Sequence, residues 1–201
     1  MYNLGRSLAR FHSYDGGGDM QALNPDTLSY LDKYLHRIRQ PGPLEERIAD
    51  WVARQRSEYS GVAWIHGNIK SEDILIANDR ICLIDLGTCG TGAPGEDLAG
   101  LCTYLMLFRA VPVFPWRVAR QAMSALLQGY TEESGIHTAR IYNYITRGVC
   151  RYYLKNMVLH GGIASISGMP VLKRRIVRMI AQLLEEDYET ALAGAGSHVP
   201  C

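Results

Sequence analysis

The chain has 201 residues, 47% of them hydrophobic and 20% charged, with 21 Lys and Arg against 20 Asp and Glu. Such a composition describes one ordinary folded domain, long enough to bury a core, and excludes a disordered segment. The near balance of charge excludes a protein that works through bulk electrostatics, so no nucleic-acid partner is expected.

Membrane and secretory signals are weak. The longest apolar stretch, Leu98 to Val113, is broken by Thr103, Arg109 and Pro112, and falls short of the roughly 18 apolar residues of a span. Arg6 and Arg10 are not followed by the apolar region of a signal peptide. Cys82, Cys89, Cys102, Cys150 and Cys201 are odd in number and contain no C-x-x-C pair. Zinc is therefore not expected, and a reducing, cytoplasmic setting without a membrane partner is. Cys82, Cys102 and Cys150 lie in apolar segments and read as small buried hydrophobes.

In chain order, Leu4, Leu8 and Phe11 recur at helical spacing, and Asp15-Gly16-Gly17-Gly18 ends that helix. Leu28, Leu31, Leu35 and Ile38 predict a second helix after Pro25, closed by Pro41-Gly42-Pro43. A third runs from Leu44 to Tyr59, with Ile48, Trp51 and Val52 on one face. The texture then changes. Gly61 to Ile65 is short and apolar. Ile74 to Ala77 and Ile81 to Ile84 read as two strands of a hairpin around Asn78-Asp79-Arg80. Helices return over Leu98 to Phe108, after Pro115, over Ala139 to Leu159 and over Val171 to Tyr188. The expected unit is residues 1–193, followed by a small polar tail at 194–201.

The polar residues concentrate in the loops flanking the hairpin. His66-Gly67-Asn68 precedes Asp73, and Ile84-Asp85-Leu86-Gly87 follows the second strand, ahead of Gly95-Glu96-Asp97-Leu98-Ala99. A hairpin draws the loops at its open end together, so His66, Asn68, Asp73 and Asp85 are expected to converge. Carboxylates and an amide at strand ends suit a hard, oxygen-seeking cation such as Mg²⁺, which would in turn hold phosphate oxygens.

These motifs resemble the aminoglycoside phosphotransferase and choline kinase group, relatives of the protein kinases. His66 to Leu75 is similar to its H-G-D-x-x-x-x-N segment, Ile84-Asp85-Leu86-Gly87 to its I-D-x-G, and Asp97-Leu98-Ala99 to the end of its G-D-x-x-x-D-L-A. Leu4 to His12 resembles the L-G-x-x-L-A-x-L-H helix that follows the family's hinge. The resemblance implies a mainly α, protein-kinase-like C-terminal lobe with a small β-hairpin at its cleft. It also implies roles. Position 68 is the family's catalytic aspartate, which orients the attacking hydroxyl and takes its proton. Asp73 stands where an asparagine helps bind metal. Asp85 matches a metal-binding aspartate. Asp97 matches a structural aspartate expected to cap the next helix and brace the catalytic loop.

Two departures shape the expectation. Asn68 has no basic lone pair near neutrality and cannot serve as a general base. Asp73 restores the charge, but at a position aimed at metal. The chain also starts near the family's hinge, without a glycine-rich phosphate cover, strand lysine or helix glutamate upstream. Gly16-Gly17-Gly18 reads as a plain loop. The expectation is a degenerate phosphotransferase-like lobe that binds a peptide or companion enzyme. By family analogy, repurposed chemistry would lie in the modification of ribosomally made peptides, such as lanthipeptide-type thioether cyclisation, with His66, Asp73 or Asp85 moving protons. The alternative is a kinase using ATP and Mg²⁺, held by Asp73 and Asp85, with the missing lobe supplied by another chain. A third reading is a truncated gene product without an independent role.

Candidate partner-binding residues are Arg147 and Arg151, among Tyr142, Tyr144, Tyr152 and Tyr153, and the run Lys173, Arg174, Arg175 and Arg178. That run opens the last helix and Glu185, Glu186 and Asp187 close it, an order that opposes the helix dipole. Cys89 reads as a small turn residue, with an exposed thiol near the cleft as the sharper alternative. The surface facing the absent lobe is expected to be partly apolar, covered by a partner or by self-association into a homo-oligomer.

Overall fold

A computed structural model of the chain describes residues 1–14, 27–55, 63–78, 80–111, 115–136, 138–160 and 170–185. The first helix, α1 (Tyr2–His12), buries Leu4, Gly5, Leu8, Ala9 and His12 on one face. That face lies along α5 (Trp116–Ser134). Two glycines allow the close approach: a Cβ at Gly5 would strike the carbonyl of Leu126, and one at Gly129 the carbonyl of Tyr2. Across the same seam, Arg6 and Arg10 pair with Glu133 at 2.7 and 2.9 Å.

Helix α2 (Thr27–Leu35) packs on α6 (Thr138–His160) and places Leu31 fully inside. It stops before Ile38, because Arg37 and Ile38 instead donate to Tyr34 and Leu35 in tight three-residue turns. Helix α3 (Pro43–Gln55) opens on proline, whose missing N–H costs nothing in a first turn. It buries Leu44, Ile48, Trp51 and Val52. Its expected extension to Tyr59 lies outside the described residues, as do the Gly16–Gly18 loop and the tail.

Four short strands follow. Strand β1 (Ala63–Ile65) pairs antiparallel with β4 (Gly90–Gly92), setting Ile65 opposite Gly90. Strand β2 (Ile74–Ala77) pairs with β3 (Arg80–Leu83), setting Ile74 opposite Leu83 and Ala77 opposite Arg80. The expected hairpin is thus present. Its second strand ends one residue early, leaving Ile84 outside the ladder. Asn78 turns the chain at φ 48°, a left-handed conformation asparagine tolerates. Strand β4 follows directly after Cys89, where the sequence showed only a turn residue. The segment is too short and too glycine-rich to look like a strand, yet it gives β1 a partner.

Helix α4 (Gly95–Leu107) begins earlier than the expected Leu98 and packs on α6. Helix α5 ends at Gly135, whose φ of 70° lets its N–H reach the carbonyl of Thr131 at 2.8 Å. The last helix, α7 (Pro170–Leu183), lays Ile176, Met179, Ile180 and Leu183 on the core. Arg47 ties it to α3, donating to the carbonyl of Ala181 at 3.1 Å and to Glu185 at 2.6 Å.

One continuous core joins Leu8, Leu31, Ile48, Leu98, Leu126 and Ile145 from five helices and the start of α4. Cys102 and Cys150 sit within it as expected, and burial pushes both thiols up to about 12. Cys82 does not: it is exposed on β3, because the hairpin turns that face to the outside. The mainly helical layout with a small β-hairpin is the one expected from the sequence.

Candidate functional site

The site is built around Asp97. The sequence reading expected it to cap the following helix, but it lies inside the first turn of α4 and Pro94 holds the cap position without a side-chain bond. Its carboxylate turns to the catalytic-type loop, the other half of that expectation. Oδ2 accepts the His66 N–H at 2.7 Å and Oδ1 accepts the Gly67 N–H at 2.9 Å. Oδ2 also faces Nε2 of His12 at 3.1 Å, and Nδ1 of His12 meets the Tyr130 hydroxyl at 2.9 Å. Asp97, His12 and Tyr130 are all buried. Burial, then the nearby Asp97 charge, pushes the Tyr130 phenol well above its ordinary range. A buried carboxylate is tolerable only when its lone pairs are filled, and here three donors converge on it. The loop between β1 and β2 is therefore held from α1, α4 and α5 together.

His66 closes the same brace. It is 1% exposed, and its Nε2 donates to the carbonyl of Ile84 at 2.8 Å. The Thr88 hydroxyl donates to the His66 carbonyl at 2.8 Å. This geometry is that of a backbone-bracing histidine rather than of one that reaches a substrate. With the ring inside and spanning the two loops, it fixes the distance between residue 66 and the end of β3.

Asp73 and Asp85 stand at the open end of the hairpin. Asp73 is buried in a 3-10 turn at Ser71–Asp73, and its Oδ2 accepts the Lys70 N–H at 2.9 Å. Its carbonyl accepts the Ile84 N–H at 2.9 Å, which sets the residue before Asp85 against Asp73. Asp85 is exposed, with φ 58° and ψ 47°. A non-glycine residue held in this left-handed region is strained, and such strain gathers at ligand sites. The two carboxylates match the oxygen donors of a Mg²⁺ ion that takes most of its shell from water and phosphate. Among the described residues no group of three or more His, Cys, Asp or Glu forms a cation cage.

Asn68 is exposed, and it lines a groove of about 230 Å³. The catalytic-type loop supplies one wall through Gly67, Asn68, Ile69 and Lys70. Helix α4 supplies Glu96, Gly100, Thr103 and Tyr104, and α6 supplies Gly148, Arg151, Tyr152 and Lys155. The expected convergence is thus divided. Asn68 faces the groove, whereas His66 and Asp73 lie beneath the surface.

Of the expected partner-binding residues, Arg151 lines the groove, its guanidinium 4.5 Å from the centre of the Tyr30 ring. Arg147 is buried against the Tyr144 ring at 4.5 Å, which removes it from any docking surface. Arg174, Arg175 and Arg178 are exposed on α7. The Lys173 side chain, Glu186 and Asp187 lie outside the described residues. Cys89 is half-buried, and burial, then Asp97, raises its thiol, the opposite of a reactive thiolate. Sequence reasoning missed Tyr130, Thr103 and Lys155 as site residues. His12 was visible only as the end of the L-G-x-x-L-A-x-L-H pattern.

Solved structures share this architecture. A choline/ethanolamine kinase family protein from Mesorhizobium loti matches with a TM-score of 0.62 at 14% identity, over 96% of this chain and 64% of that one. An amicoumacin kinase, solved with AMP-PNP and Ca²⁺, matches at 0.58 and 16% identity, over 92% of this chain and 58% of that one. A macrolide 2′-phosphotransferase from Brachybacterium faecium matches at 0.53 and 18%, over 89% and 58%. At these identities the likeness is one of fold, and the chain spans 58–64% of the length of these proteins. No curated protein gives a significant match. The family profile described as the phosphotransferase enzyme family covers residues 1–136, from α1 through the braced loop to the end of α5, and the chain belongs to that family.

Proposed function

We propose that this chain is a transfer-deficient phosphotransferase lobe that binds a peptide or a partner enzyme in the groove beside Asn68. One observation carries the reading. The scaffold around the catalytic-type loop is complete, from Asp97 through His12 to His66, yet the side chain it presents to the groove is a carboxamide. An amide can orient a ligand but cannot accept its proton near neutrality. A binding role uses what is kept and needs nothing that is replaced. Modification of a ribosomally made peptide, as in lanthipeptide-type thioether formation, is one setting for such a lobe. Exposed Leu75, Ile76, Ile84 and Leu86 around the hairpin offer apolar surface for a companion enzyme or a second copy. The test is phosphate release and transfer from Mg-ATP by the intact protein. No turnover is expected, and turnover by the natural sequence that Asn68→Ala abolishes would overturn the reading.

A second reading is favoured by Asp85, whose strained backbone and exposed carboxylate suit a retained metal site. In it the protein is a kinase using ATP and Mg²⁺, with Asp85 among the groups that hold the metal. Mg-ATP would then raise the melting temperature by ligand linkage, and Asp85→Asn would abolish the rise.

A further inference from the structure

The lining of the groove identifies its ligand by charge, and this inference rests on the reading that the groove binds a peptide. Three cationic side chains, Lys70, Arg151 and Lys155, and one carboxylate, Glu96, line it. Glu96 is itself engaged in an interaction within the fold, so it is not a free anion awaiting a cationic ligand. Arg151 is held against Tyr30, which fixes its guanidinium in place. Lys155 is exposed at the rim. The aromatic wall is also ordered, with the Tyr104 and Tyr152 rings edge to face at 6.5 Å between centroids.

Thr103 lines the groove at its floor, 7% exposed, with its hydroxyl turned away from solvent. Gly148 lies directly against that hydroxyl, and a Cβ there would collide with it. Glycine thus keeps the floor between α4 and α6 low.

We propose that the groove bounded by Asn68, Thr103, Arg151 and Lys155 binds an acidic peptide segment, with its carboxylates among Lys70, Arg151 and Lys155. Arginine and lysine beside aromatic rings recognise carboxylates well, because the guanidinium gives two parallel donors and the rings shut out competing water. A cationic ligand would meet a net repulsive wall.

The experiment is fluorescence anisotropy on the full chain with two fluorescein-labelled peptides of equal length, one a Glu-Ala repeat and one a Lys-Ala repeat. The acidic peptide is expected to bind about tenfold more tightly at low salt, a preference that fades as salt screens it. Lys155→Glu is expected to weaken the acidic peptide about fivefold, whereas Arg117→Glu, an equal charge change on the exposed face of α5, leaves it unaltered. Equal binding of the two peptides, or equal effects of the two charge reversals, overturns the acidic specificity but leaves peptide binding standing. Displacement of the acidic peptide by millimolar inorganic phosphate as readily as by free peptide overturns a peptide ligand in favour of a small anion. Binding of neither peptide, with turnover of Mg-ATP, overturns the binding role itself.

Discussion

Asp97 is the residue on which the site's geometry depends. Its two oxygens hold the N–H groups of His66 and Gly67, so its charge fixes the loop that carries Asn68. Asp97→Asn keeps the shape but replaces one acceptor oxygen by a donor that faces another donor. We expect a loss of about 2–4 kcal/mol in chemical denaturation, in the range for breaking a buried, charged hydrogen-bond network. Glu45 offers a comparison away from the site. It is buried in the first turn of α3, accepts the Gly42 N–H at 2.9 Å and takes the Tyr153 hydroxyl on its other oxygen. Tyr153→Phe leaves that carboxylate one donor short and is expected to cost about 1–3 kcal/mol by the same measurement. The Glu45 network was not legible beforehand, and of the Asp97 network only its bracing of the loop was implied, not its donors. Composition cannot say which carboxylate is inside, and Glu45 looks like an ordinary first-turn glutamate. At residue 68 the departure from the family's pattern is written in the residue itself.

At the scale of elements, the decisive contact is α1 on α5. Both glycines at the crossing face backbone carbonyls, so the neighbour cannot move aside as a side chain could. Gly129→Ala is expected to destabilise the fold by about 1–3 kcal/mol, seen as a lower melting temperature. The charged rim of the same seam gives a pH dependence. Hydrogen bonds from Arg10 and Arg6 hold the Glu133 carboxyl down to about 2, against 4.5 for the free group. Because its folded value is depressed, its stabilisation is full above the unfolded value. It is lost as pH falls from about 4.5 towards about 2. Melting temperature measured across that window should fall less steeply in Glu133→Gln than in the natural protein. Long elements with a regular apolar stripe, such as α1 and α6, were legible, since periodicity alone places them. Strand β4 was not, because its pairing with β1 is made by residues distant in sequence and carries no local pattern. The start of α4 was misplaced because Asp97 was given a capping role as well as a bracing one, whereas it lies inside the first turn and spends both oxygens on the loop.

For the whole molecule, one core spans the helices and leaves the hairpin at the margin. No described helix is long and apolar enough to cross a membrane. The cysteines report this arrangement. Cys82 is exposed, while Cys102 and Cys150 are fully buried with thiols pushed up to about 12. Thiol labelling followed by site-resolved mass spectrometry should modify Cys82 first. It should reach Cys102 and Cys150 only at the rate of global unfolding, since both lie in the most protected part of the core. Early labelling of either would place an opening within that core.

The order of helices and hairpin, the family and the amide at position 68 were determined by the sequence alone, because local periodicity and motif spacing are properties of the chain itself. Which polar groups face the groove was decided only by the tertiary structure. His66, Asp73 and Arg147 went inside, and Lys70, Thr103 and Lys155 met around a cavity, because burial and charge depend on neighbours brought together from separate loops and helices.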